Sequence, residues 1–173
     1  MTAPEPVESL RRRRDDALAA IVQGIPYAAW LGVGFDRRGD ELTAVLRYDR
    51  KQIGNPLLPA LHGGAIAAFL EIAAVVHLTW ARSWDGMEAG RIIPRAGDPD
   101  SLPRLPKTID ITIDYLRSGL ARDAYARARI VRSGRRYASV QVEAWQDNRD
   151  RLFAQATCHF LMPQDQPPLP GGK

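Results

Sequence analysis

The sequence is poor in the residues that build metal centres and disulfides. It has 1 cysteine, Cys158, and 3 histidines among 173 residues. No internal disulfide can form, and no Cys/His cluster has the spacing of metal ligands. A lone cysteine fits a reducing compartment, and its place in the apolar run 152–162 predicts a small buried residue. We therefore expect a cytoplasmic protein with no metal and no cofactor of its own.

Long uninterrupted apolar runs are also missing. No run of 18 apolar residues occurs, so no segment is predicted to span a membrane. The basic stretch 11–14 is followed by Asp15 and Asp16 rather than by an apolar signal core, so no export signal is predicted. These absences argue against a membrane partner.

The excess of charge is small, positive and not concentrated in one segment. The net charge is +4, and almost all of the basic residues are arginines scattered along the chain. No aromatic ladder, helix-turn-helix or finger pattern accompanies them, which argues against nucleic acid. A dispersed basic surface is either plain solvated charge or suits a small molecule that carries phosphate.

The first half of the chain predicts a helix, a strand and a second, buried helix. Residues 6–22 mix charged and apolar residues at helical spacing, and 41–48 reads as a strand after the turn at Gly39 and Asp40. The run 65–81 is apolar nearly all round and is too long for a strand. A helix that is apolar on every side is buried on every side, so other elements must wrap it.

Four strands are predicted in the second half, from alternating apolar and polar residues, at 108–115, 124–132, 138–144 and 152–162. In the first of these, the apolar face consists of Ile109, Ile111, Ile113 and Tyr115. Mostly short turns between consecutive strands predict an antiparallel meander. The expected fold is α+β, with a long buried central helix wrapped by an antiparallel β-sheet.

The predicted domain organisation has three parts. Residues 1–24 form an N-terminal helical extension, 25–162 form the single domain, and 163–173 form a proline-rich flexible tail. Residues 83–106 hold four prolines and three glycines without periodicity, which predicts a long loop insertion.

Two features of the central helix indicate chemistry. Glu71 lies mid-helix among apolar neighbours, where a carboxylate is costly unless it has a partner or a role. The alternatives are an ion pair with an arginine and a general base or nucleophile. Gly63 and Gly64 follow His62 at the helix start, which leaves first-turn N–H groups open to a ligand. Such a terminus can stabilise a carbonyl oxygen that becomes negative.

The segment NPLLPALHGGAIAAFLE, from Asn55 to Glu71, resembles the PaaI-type acyl-CoA thioesterases of the hotdog-fold superfamily. Their signature is an asparagine, then HGG, then an acidic residue nine positions after the histidine, a spacing that His62 and Glu71 share. The acid here is glutamate, whereas many relatives carry aspartate. The resemblance continues in TIDITIDYLR, VRSGRR and LFAQATCHFLM, and so covers most of residues 25–162.

The resemblance implies a hydrolase that cleaves acyl-CoA thioesters, and it implies roles for five residues. Gly63 donates its backbone N–H to the thioester carbonyl, and Glu71 activates water or attacks the carbonyl itself. His62 and Asn55 orient the Gly63 turn or the water, and Thr108 holds the water. No cofactor is needed beyond the coenzyme A of the substrate.

Substrate binding is expected at Gly64 and at three arginines. Arg117, Arg135 and Arg136 follow turns or strand ends. They are either surface charge or ligands of the coenzyme A phosphates.

The spacing of Gly63 and Glu71 predicts a dimer. Eight residues at the helical rise separate them by ~12 Å along the axis, so one carbonyl cannot touch both. Two antiparallel helices in a two-fold dimer bring Gly63 of one chain near Glu71 of the other. A homodimer is therefore expected, and a homotetramer stays open.

Two other functions remain open. A hotdog hydratase or dehydratase carries its histidine further upstream of the helix, and this chain has none in residues 1–61. A non-catalytic acyl-CoA-binding protein has little need of a carboxylate at Glu71.

Overall fold

The computed structural model describes residues 5–164. Within them, the α-helices are α1 (Val7–Gln23), α2 (Pro26–Leu31) and α3 (Gly63–Glu88), and short 3-10 helices span Arg50–Gln52 and Pro99–Ser101. The strands are β1 (Val33–Arg38), β2 (Glu41–Leu46), β3 (Ile53–Asn55), β4 (Ala60–Leu61), β5 (Lys107–Tyr115), β6 (Ala124–Ser133), β7 (Tyr137–Trp145) and β8 (Ala154–Leu161). Most of the predicted tail 163–173 lies outside the described residues.

Six strands form one antiparallel sheet in the order β1-β2-β6-β7-β8-β5, and β3 pairs with β4 in a separate ribbon. The central helix α3 packs across the inner face of the six-stranded sheet. The predicted α+β hotdog arrangement, with an antiparallel sheet wrapped around one long helix, is confirmed.

The core is built from small residues on the sheet and large ones on the helix. In β7 the predicted alternation holds, since Ala138, Val140, Val142 and Ala144 are fully buried. Alanines also line the inner face of β6 and β8, which lets α3 approach closely with its bulky buried side chains, among them Phe69 and Leu78. Cys158 is fully buried in this core, as predicted.

The helix α3 has 26 residues, and its length and apolar composition alone would allow it to cross a membrane. In the fold, however, 56% of its most apolar window is buried against the protein, as in the core helix of a globular domain. The same helix corrects the sequence analysis, because it continues to Glu88 beyond the predicted end at residue 81. The predicted loop 83–106 therefore begins only after Glu88. The last two turns of the helix contain polar residues, which end the apolar run from which the helix was predicted.

The N-terminal helix α1 closes the side of the molecule away from β5. Its buried face packs against β1 and α3. Arg14 pairs with Glu88 of α3 at 2.8 Å, and Arg37 of β1 pairs with Asp15 at 2.8 Å. The strand β1 was missed by the sequence analysis. It forms a hairpin with β2 through Gly39, which adopts a positive φ of 62°.

The predicted four-strand meander is wrong for its first strand. Strands β6, β7 and β8 follow one another in the sheet, but β5 pairs with β8 at the sheet edge rather than with β6. The connections 116–123 and 146–153 have the same length. Because one is a crossover and the other joins neighbouring strands, connection length could not separate the two topologies.

Candidate active site at the start of the central helix

His62 is the N-cap of α3 and fixes its first turn. Its Nδ1 accepts a hydrogen bond from the Gly64 N–H at 2.9 Å, which places the imidazole proton on Nε2. Its own backbone N–H donates to the Gln52 carbonyl at 2.7 Å. The imidazole of His62 therefore caps the first turn of α3, and the N–H of Gly64 is engaged in this cap.

Two glycines are required by the imidazole of His62. A Cβ on Gly54 would lie 2.9 Å from the Cδ2 of the His62 ring, and a Cβ on Gly64 would lie 3.0 Å from its Nδ1. Both distances are shorter than normal contacts, so a larger residue at either position would displace the ring. The need for Gly54 was not apparent from the sequence, because it arises from the crossing of β3 over His62.

Gly63 is the first residue of α3, and within the described part of the chain its carbonyl is hydrogen-bonded whereas its N–H is not. The carbonyl accepts a hydrogen bond from the Tyr115 hydroxyl at 2.9 Å. Among residues 5–164, no acceptor is found for the Gly63 N–H. Tyr115, at the end of β5, thus ties the start of the helix to the edge of the sheet and leaves one N–H at the positive end of the helix dipole.

Gln52 supports this turn from beneath and was also not predicted. It is 2% exposed, and its Nε2 donates to the carbonyls of Leu31 at 2.7 Å and Arg47 at 2.9 Å. The backbone carbonyl of Gln52 accepts a hydrogen bond from the N–H of His62. A single glutamine in a polar loop carries no sequence signal for such a role.

Glu71 lies two turns along the same helix and is half-buried. It is close enough to Cys158 for its charge to act on the thiol. The pKa of Cys158 is raised to about 12, by burial first and then by the negative charges of Glu71 and Asp110. Glu71 therefore lies on the side of α3 that faces β8, whose Cys158 pairs with Ile111 of the edge strand β5.

Thr108 faces the same side as Glu71, for a reason that the sequence pattern concealed. The β5–β8 register shifts between Thr108 and Asp110, so Ile109 is a bulge and is 54% exposed. Thr108 stands opposite the buried Phe160 and therefore points toward the helix. The predicted apolar face that included Ile109 is corrected accordingly. No hydrogen bond joins Thr108 to Glu71 within residues 5–164.

Asn55 makes its observed side-chain contact within its own loop. It is exposed at the end of β3, and its Oδ1 accepts a hydrogen bond from the Leu57 N–H at 3.0 Å. Within the described residues no hydrogen bond links it to His62 or Glu71. Its observed contact shapes the loop before the helix.

The three predicted phosphate ligands are exposed and separate into two groups. Arg117 follows Tyr115 and lies at the same end of the sheet as Gly63, whereas Arg135 and Arg136 lie in the β6–β7 turn. These ends are joined by β7, so they are ~26 Å apart at about 3.3 Å per residue. One chain cannot bring all three arginines to one phosphate.

Known proteins that resemble this chain in sequence are acyl-CoA thioesterases. Residues 55–161 match the family described as acyl-CoA thioesterase N-terminal domain, which is more than half of the chain. The medium/long-chain acyl-CoA thioesterase YigI of Salmonella typhimurium is 29% identical over 149 residues, covering 82% of this chain and 88% of that protein. YigI of Escherichia coli K12 is 28% identical over 148 residues, with the same coverage.

Solved structures share the fold. A protein from Chromobacterium violaceum is 32% identical with a TM-score of 0.61, covering 92% of this chain and 99% of that chain. The PaaI protein of the E. coli phenylacetic acid degradation operon has a TM-score of 0.64 at 15% identity, covering 90% of this chain and 96% of its own. With the family match across residues 55–161, these findings show that the chain belongs to the acyl-CoA thioesterase family of hotdog enzymes.

Proposed function

We propose that this protein hydrolyses medium- and long-chain acyl-CoA thioesters to the free acid and coenzyme A in the cytoplasm. The observation that carries the proposal is the free N–H of Gly63, on the same helix as Glu71. The turn that presents this N–H is fixed by the cap of His62 on one side and by the hydrogen bond from Tyr115 on the other. This N–H and the helix dipole are suited to stabilise the oxyanion that forms when the thioester carbonyl is attacked.

Glu71 supplies the second half of the chemistry. As a general base it takes a proton from water while the water oxygen bonds to the carbonyl carbon. Collapse of the tetrahedral intermediate breaks the C–S bond, and the thiolate of coenzyme A leaves and takes up a proton. Direct attack by the carboxylate, with water then hydrolysing the anhydride, balances equally well.

Each site is proposed to be shared between two subunits. Gly63 and Glu71 lie in one uninterrupted helix, so they are ~12 Å apart along its axis. Among the described strands, β5 has β8 as its only neighbour, so its outer backbone is open to another strand. Pairing of β5 with a second copy of itself supplies the two-fold dimer.

The contacts of β5 also indicate the register. Tyr115 marks the position of Gly63, and Ile111, through Cys158, marks that of Glu71. Antiparallel pairing centred on Ile113 sets Tyr115 opposite Ile111 of the partner subunit. Gly63 then lies beside Glu71 of the partner subunit, and Arg135 and Arg136 of the partner subunit return to the end where Gly63 lies.

A panel of acyl-CoA substrates tests the proposal. We expect thiol release, followed with a chromogenic thiol reagent, with kcat/KM highest for medium and long acyl chains, as in the name of the YigI relatives. Binding of acyl-CoA without thiol release would favour a non-catalytic binding protein. Hydration of an enoyl-CoA in its place would favour a hydratase.

Tyr115→Phe is expected to lower kcat about three- to tenfold, because the hydrogen bond that holds the Gly63 carbonyl is worth roughly 1 kcal/mol. KM should change little, since the tyrosine orients the N–H and does not touch the bulk of the substrate. The kinetic constants and Tm are measured beside Tyr48→Phe, whose hydroxyl makes no hydrogen bond within residues 5–164. Equal kcat values for the two variants would show that the Tyr115 hydroxyl does not contribute to catalysis.

A further inference from the structure

A small cavity lies beside the active site, under the crossover between β5 and β6. Its wall is the segment 116–123, which the side chain of Gln146 holds in place. Gln146 accepts from the Leu120 N–H at 2.9 Å and donates to the carbonyls of Leu120 at 2.9 Å and Arg122 at 3.2 Å. Gly119 fits closely against Phe153, since a Cβ there would lie 3.2 Å from the ring. The cavity wall is therefore fixed by defined contacts rather than being a loose surface loop.

The cavity has a volume of about 170 Å³ and a lining that is strongly basic. Arg117, Arg122 and Arg151 face it, against the single carboxylate of Asp147. Asp147 is engaged by Arg122 at 2.6 Å. The guanidinium groups of Arg117 and Arg151 make no hydrogen bond or ion pair with any of residues 5–164. Two guanidinium groups of this arginine pocket are thus available to a ligand, and the balance of charge favours an anion.

The arginine pocket is tied to the catalytic turn by backbone contacts. The N–H of Leu61, next to His62, donates to the carbonyl of Gly119 at 2.8 Å. Arg117 follows two residues after Tyr115, which holds Gly63. A pantetheine arm is about as long as four extended residues and spans ~14 Å, so a thioester bound at Gly63 can carry its phosphates to this pocket.

We propose that Arg117, Arg122 and Arg151 form a phosphate-binding pocket for the nucleotide end of coenzyme A. The inference rests on the proposed function, because it takes the thioester to be bound at Gly63. Guanidinium groups bind phosphate oxygens through paired, charge-assisted hydrogen bonds, which suits a cluster in which three arginines face a single carboxylate. The same chemistry would accept a free nucleotide, and the experiment separates these two sources.

The test compares a substrate that carries phosphates with one that does not. In the double variant Arg122→Gln/Arg151→Gln, KM for an acyl-CoA is expected to rise roughly tenfold or more, with kcat nearly unchanged. KM for the matching acyl-pantetheine thioester, which lacks phosphate, should not change. The control Arg12→Gln/Arg38→Gln removes the same charge from exposed arginines on the α1 side of the molecule, and Tm confirms folding. An equal rise in KM for both substrates, or no rise for either, would overturn the assignment.

Binding without turnover gives an independent readout. The adenosine bisphosphate part of coenzyme A is titrated calorimetrically into the intact protein, and we expect binding that the double variant loses and the control retains. Competition of this nucleotide with acyl-CoA supports the substrate assignment, whereas non-competitive binding identifies a separate nucleotide site and overturns it. If no acyl-CoA is hydrolysed but this binding pattern holds, the phosphate pocket stands and the proposed hydrolysis falls.

Discussion

Glu71→Gln is expected to lower kcat by roughly 10²- to 10⁴-fold, the range typical of losing a general base, and by more if the carboxylate is a nucleophile. Glutamine keeps the size of the side chain and fits the half-buried position beside Cys158. KM should stay within a few-fold of its original value, because the proposed substrate contacts of Gly63 and the arginines are unchanged.

The matched control lies on the same helix. Glu88→Gln removes a carboxylate at the far end of α3, where it pairs with Arg14 at 2.8 Å. We expect full kcat and at most a small decrease in Tm, since ion pairs at the surface contribute little. Both variants are compared by steady-state kinetics, circular dichroism and thermal unfolding. If folded Glu71→Gln keeps near-full turnover, the chemistry belongs to another residue.

Much of the fold could be predicted because burial imposes a periodicity on the sequence. The central helix was identified because a long apolar run of its length cannot be a strand, and the alternation in β7 was confirmed residue by residue. The position of β5 was not predictable, because pairing with β8 depends on contacts between residues far apart in the chain. The bulge at Ile109 was hidden for a similar reason, since it is defined only by the register of a neighbouring strand.

The candidate site was predictable to the extent that its residues are unusual in their local setting. A carboxylate within an apolar helix and two glycines at a helix start are conspicuous in sequence, so Glu71 and Gly63 could be named as candidates. Tyr115 and Gln52 act through hydrogen bonds to distant backbone atoms, and nothing in their local sequence marks them. Strand ends likewise do not reveal which end of the sheet they occupy, which is why Arg135 was grouped with Arg117.

Mixed dimers of two variants, each expected to be inactive alone, are expected to regain activity, because in the proposed shared site Gly63 comes from one chain and Glu71 from the other. The first variant is Glu71→Ala, and the second is Gly63→Pro, which removes the N–H proposed to bind the oxyanion. Proline suits this position, since it is the first helical residue and His62 before it has a ψ of 135°. A Cβ at Gly63 would lie 3.4 Å from the Tyr115 hydroxyl, which the side chain can accommodate.

Each homodimer lacks one half of both its sites, so each alone should be inactive. In the mixed dimer, one site combines the intact Gly63 of the first variant with the intact Glu71 of the second, and the other site carries both defects. Co-expression with two affinity tags yields mixed dimers, whose composition is checked by mass spectrometry and whose folding is checked by circular dichroism. We expect about half of the wild-type kcat per dimer, because one of two equivalent sites is restored. A site contained within one chain predicts no recovery, so folded mixed dimers without activity would rule out the shared site.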